Sequence, residues 1–197
     1  MEYYLNSSTN ILEIYSIISS IFLAVGLSAA CGFRIFIPPL AYGILYKAEL
    51  VQLADGWSWI GNDWVIAVFF LAAFVEIIGN LIPWVDNFLD IFATPAAIFA
   101  GTVLSAVCLS EIDPGLRWML AVISGVTITG GFQLATVSLR GASTIFTGGL
   151  ANPIISIIED FISLVISISI ILFPLIGIVL IVLIAFLLRK IYLRLKK

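Results

Sequence analysis

The chain has 197 residues, 62% of them hydrophobic and only 11% charged, with a formal net charge of -3 and a mean hydropathy of +1.20. A soluble domain of this length carries about 25% charged residues. Composition therefore excludes an ordinary soluble enzyme, argues against nucleic acid as a partner, and makes the lipid bilayer the expected solvent.

A spanning helix needs about 20 mostly apolar residues. Six stretches qualify: 11–31, 63–82, 88–110, 116–139, 154–173 and 174–193. The expected fold is all-α, a polytopic membrane helix bundle of six spans with short re-entrant or broken helices between some of them. Glu2 and Glu13 are the only charges before Arg34, so the first run lacks the basic start of a cleaved leader and reads as a permanent helix.

The first span ends in GLSAACGFR. Gly26 and Ala30 lie four apart, which gives a small face for close helix packing. Gly32 follows it. Residues 35–46 are apolar but short, with Pro38-Pro39 inside, and runs of this length read as half-helices or re-entrant elements. Lys47, Glu49, Asp55 and Asp63 then form a polar connection flanked by Trp57, Trp59 and Trp64, the signature of a membrane–water interface.

The second span carries Glu76 and Asn80 near its end, four apart and on one face. Pro83 stops it. The next helix is expected to begin near Asp86, with Asp86 or Asn87 as its N-cap and Asp90 in its first turn. Ala93, Ala97, Gly101 and Ser105 repeat at four-residue spacing and make a groove for another helix, while Pro95 should kink it. The stretch 110–117 is a turn.

In the following span Ala121, Gly125 and Thr129 share a face. Gly130-Gly131 weaken the helix, and Gln133, Thr136, Ser138 and Arg140 make its end polar. Residues 141–153, including Gly148-Gly149, are rich in Gly and Ser/Thr and too short to cross, so they read as a second break. Asn152-Pro153 reads as an N-cap followed by proline at the first helical position. Glu159 and Asp160 lie about two turns in. Five of the nine basic residues close the chain in RKIYLRLKK, which places the C-terminus in the cytoplasm and the protein in the inner membrane.

The halves 1–110 and 111–197 share an order: a small-residue helix, an Ala-x4-Arg ending, a short break, then a glutamate-bearing helix. Three spans per half would make the repeat inverted, as in transporters built around broken helices. If residues 35–54 cross instead, there are seven spans.

A charge within the bilayer costs about 2.5–3.5 kcal/mol or more and tends to be paired at a pathway or site. The candidate pathway residues are Arg34, Glu76, Asn80, Asp86, Asp90, Gln133, Arg140, Asn152, Glu159 and Asp160. Arg34 and Arg140 either snorkel to headgroups or pair with the glutamates near the centre. Gly26, Gly32, Gly130, Gly131, Gly148 and Gly149 are close-packing points or hinges. Cys31 and Cys108 read as small buried residues. The absence of histidine removes the commonest general base and zinc ligand.

The runs GLSAACGFRIFIPPL (26–40), VEIIGNLIPWVD (75–86), LATVSLRGAST (134–144) and NPIISIIED (152–160) carry a resemblance to a bacterial membrane family with plant relatives, catalogued as domain of unknown function 4126. The resemblance spans nearly the whole chain. It implies a compact multi-span membrane protein and assigns no catalytic residue, cofactor or substrate.

The leading expectation is a small transporter or channel for a small ion or anionic solute, without cofactor, and a homodimer because a monomer of this size encloses little volume. A structural or assembly role for the charges is the first alternative. The second is a lipid-modifying enzyme using Asp86 and Asp90, or Glu159 and Asp160, as acid/base or magnesium ligands. A water-filled cavity reaching Arg34 and Arg140 would favour transport, and a sealed, fully paired interior would favour the structural role.

Overall fold

The computed structural model describes the backbone of residues 2–54 and 56–195, and the side chains of most of residues 14–190. Among the described residues every regular element is a helix. The α-helices are α1 (Glu2–Cys31), α2 (Ile37–Lys47), α3 (Asp63–Asn80), α4 (Pro83–Cys108), α5 (Pro114–Ser124), α6 (Gly130–Thr147), α7 (Asn152–Leu172) and α8 (Pro174–Leu195). A π-helical turn, Gly125–Thr129, joins α5 to α6 without a break.

Five of the described helices are long and apolar enough to cross a membrane: Ile14–Cys31, Asp63–Asn80, Ile91–Cys108, the joined Pro114–Thr147, and Asn152–Leu172. The sixth expected span corresponds to α8, some of whose side chains lie outside the described residues. The expected short element after Arg34 is α2. Its 11 residues reach only about 16 Å at 1.5 Å each, half of the bilayer core of about 30 Å.

Four local expectations are corrected. The second break does not begin at 141: α6 stays helical through Thr147, and only residues 148–151 form a turn. Gly148 at φ 64 closes α6 as a left-handed C-cap, and Gly149 follows at φ 87, conformations that glycine adopts without a Cβ clash. The N-cap of α7 is Ala151, not Asn152, which lies inside the first turn and donates its amide to Thr144 at 3.1 Å. Helix α4 starts at Pro83 with Ile82 as N-cap, because proline suits the first helical position, so Asp86, Asn87 and Asp90 lie inside the helix. The expected turn at 110–117 is shorter, covering 110–113, because α5 begins at Pro114 with Asp113 capping it through the N–H groups of Gly115 and Leu116.

The C-terminal half of α1 is the hub. It packs on α4, α7 and α8, and buries Ala24, Leu27, Ala29, Ala30 and Cys31, with Phe33 buried just beyond its end. Lipid is as apolar as leucine, so helices in a bilayer associate through close packing and interhelical hydrogen bonds. Both devices lie on the α1/α4/α5 seam. A Cβ on Gly101 would stand 2.0 Å from Thr129 Oγ1, and one on Gly125 would stand 2.0 Å from Thr102 Oγ1. Into that tight seam Ser28, Ser105 and Ser124 place their hydroxyls 2.6 and 2.9 Å apart, and Thr129 donates to the Ser28 carbonyl at 2.7 Å.

Candidate functional site

The charged centre is built around the turn that leaves α1. Glycine at 32 lets α1 end tightly against its neighbour, since a Cβ there would meet Thr129 O at 2.8 Å and Phe132 Cβ at 2.5 Å. The chain then bends at 34–36 before α2. In α2 the second and third helical positions are Pro38 and Pro39, which have no N–H. Just before them, the N–H groups of Ile35 and Phe36 donate to Glu76 Oε1 and Oε2 at 2.8 and 3.1 Å. Glu76, projecting from α3, thus acts as an anionic cap on the start of α2.

The same turn is held from its other side by α7. Arg34 donates Nε to Asp160 Oδ1 and Nη2 to the Ser156 carbonyl at 2.9 Å, and Nη1 stands 3.4 Å from Glu159 Oε2. Arg140 Nη2 approaches the same Glu159 oxygen at 3.7 Å from α6. The two arginines therefore converge on one carboxylate. Arg34 is 1% exposed, Arg140 2% and Glu159 3%, while Asp160 is partly exposed at the edge of the cluster. Ser156 Oγ donates to the Asn80 carbonyl at 3.2 Å and Ser163 Oγ to the Ala30 carbonyl at 3.1 Å, which stitch α7 to the ends of α3 and α1.

The expected site residues thus divide. Arg34, Arg140, Glu159 and Asp160 come together, and Glu76 joins them through the backbone of 35–36 rather than through an arginine. Asn80, Gln133 and Asn152 are buried, and Asn80 contributes its carbonyl to Ser156. Asp86 and Asp90 belong to the first turns of α4, and their side chains lie outside the described residues. Among the glycines, Gly26 is a close-packing point against Ile170, whereas Gly130 has ordinary contacts and Gly131 faces open space. Cys31 and Cys108 are buried thiols in α1 and α4. Among the described residues no three His, Cys, Asp or Glu side chains converge as a metal site.

Sequence reasoning missed Ser156, whose carbonyl completes the Arg34 cage. It also placed Ser105 and Thr129 on packing faces without seeing that their hydroxyls bond across the seam. The available signal was the run of hydroxyl residues on otherwise apolar helices, which need a partner in lipid.

Apolar crevices flank the centre. One of about 510 Å³ between α6, α7 and α8 has Glu159 in its lining, and one of about 450 Å³ between α3 and α4 has Glu76 and Asn80. The walls of both crevices are mainly apolar, with Thr136, Ser143 and Thr147 beside Glu159 in the first.

Long apolar helices around a buried ionic cluster define an all-helical membrane protein. The chain belongs to the family described as domain of unknown function DUF4126, whose profile matches residues 21–193. No curated protein and no solved structure matches the chain.

Proposed function

We propose that the protein is a small membrane transporter or channel, with the Arg34–Glu159–Arg140 cluster as its ion-handling centre in a closed state. The observation that carries the reading is an imbalance of charge. Three carboxylates, Glu76, Glu159 and Asp160, gather around two guanidiniums within apolar helices. Neutralisation of the arginines accounts for two acids, and an acid beyond that number in so costly a place is the residue type that takes up a proton or a small cation. An anionic solute fits less well, because both guanidiniums already face Glu159. Each sequence half, 1–110 and 111–197, supplies one arginine and one glutamate-bearing helix to this centre, which is how an inverted repeat would contribute to it. The π-turn at Gly125–Thr129 adds a local irregularity of the kind that recurs at functional sites.

Reconstitution in liposomes tests the reading. Proton or alkali-cation flux is expected from the wild type, with strong loss in Glu76→Gln and Glu159→Gln. Silence of the wild type for every common ion sinks it.

A structural or assembly role is the second reading, and the sealed, paired state of Arg34 and Arg140 favours it. A buried ion pair exchanged for apolar residues of similar volume is often tolerated. On this reading Arg140→Met combined with Glu159→Met keeps a folded protein with unchanged cellular function. On the transport reading the double variant folds and loses flux.

A further inference from the structure

We propose that the groove between α6 and α8 binds an anionic phospholipid, one acyl chain lying in the groove and the phosphate on Arg189. The groove encloses about 530 Å³, a volume in the range of small-molecule sites. It exists because α6 offers small residues where α8 crosses it. Gly131 and Ala135 line the groove, and a Cβ on Gly131 would meet nothing within 4 Å. The polar groups in its wall are turned away: Thr127 and Ser138 each donate to a carbonyl of their own helix at 2.6 Å. What remains is apolar surface from Ile128, Phe132 and Leu188. Left empty, such a surface forfeits dispersion contacts, and in a bilayer the group at hand to restore them is an acyl chain.

Charge selects which lipid. Arg189 is the only charged residue among those lining the groove, and no ion pair to it forms among the described residues. It opens the basic end of the chain, where Lys190, Arg194, Lys196 and Lys197 follow. That end belongs at headgroup level, where each basic residue attracts anionic lipid and a guanidinium can hold phosphate through two hydrogen bonds. An apolar trough that ends at a guanidinium matches a phospholipid with net negative charge better than a zwitterionic one.

Native mass spectrometry of the full chain in detergent, titrated with dioleoyl phosphatidylglycerol or dioleoyl phosphatidylcholine, tests the site. Phosphatidylglycerol is expected to bind more tightly. Arg189→Ala should weaken it about five-fold, the equivalent of one basic residue, and leave phosphatidylcholine unchanged. Ala185→Phe, at an exposed groove position on α8, should fill the trough and lower binding of both lipids. Equal binding of the two lipids, full retention in Ala185→Phe, or a loss in Lys190→Ala as large as in Arg189→Ala each overturns the proposal. The last of these would mean diffuse attraction to a basic surface. None of these readouts depends on ion flux, so the site stands or falls apart from the transport reading.

Discussion

Arg34 uses three nitrogens on three different partners: Nε on Asp160, Nη1 towards Glu159 and Nη2 on the Ser156 carbonyl. A lysine ammonium is a point charge and cannot reproduce that fork. Removing one partner of a buried ion pair costs about 3–5 kcal/mol. Arg34→Ala is expected to lose stability of that order in detergent melts, and Arg34→Lys to recover only part of it. A lysine variant that melts like the wild type would show that charge alone, not the fork, holds the turn. Glu76 makes a complementary case. Both of its oxygens accept backbone N–H groups, and a glutamine has only one acceptor oxygen. Glu76→Gln should therefore leave one donor at the start of α2 unmatched and destabilise by about 1–3 kcal/mol, read as a lower unfolding midpoint.

At the scale of elements, glycines on neighbouring helices make a sharp contrast. Gly101 on α4 has no room, with Thr129 Oγ1 at 2.0 Å from a notional Cβ, whereas Gly131 on α6 has open space. Gly101→Ala should cost about 1–3 kcal/mol by overpacking. Gly131→Ala should be neutral or stabilise by about 0.5–1 kcal/mol, because alanine is the better helix former. Thermal melts of the two variants side by side check the pair, and equal effects would contradict the packing described for the seam. The Gly101 face was legible in the sequence, since Ala97, Gly101 and Ser105 recur every four residues. So were the helices, because an apolar run of about 20 residues has few alternatives in a bilayer. The second break was not legible. Glycine and threonine content between 141 and 147 argues for irregular backbone, but Thr144 and Thr147 turn their hydroxyls onto carbonyls one turn back and stay helical. Pairing was illegible for a different reason. Composition marks Glu76 and Glu159 as equivalent, and only the packing of α7 against α1 and α2 sends one to the arginines and leaves the other to cap a helix.

Across the whole molecule, strong polar contacts sit deep and the rim contributes little. Lys47 pairs with Asp63 where α2 returns towards α3, but both side chains are largely exposed. Such a pair is worth about 0–1 kcal/mol. Lys47→Ala should shift the melting midpoint far less than Arg34→Ala, and the comparison measures how much of the stability lies in the buried turn. The hub position of α1 explains why that turn matters. It is where the end of α1, the start of α2, α3 and α7 all meet.

The clamp on residues 34–36 also sets an order of biogenesis. Arg34 leaves the ribosome 126 residues before Asp160, a delay of roughly 6–25 s at 5–20 residues per second. During most of that interval the start of α2 has its cap from Glu76 but not yet its anchor on α7. A nascent chain halted before α7 should accordingly leave Ile37→Cys open to maleimide in a background with both native cysteines replaced, and release of the finished chain should protect it. The setting of α2 is in this sense completed late, by a helix more than a hundred residues further along the chain.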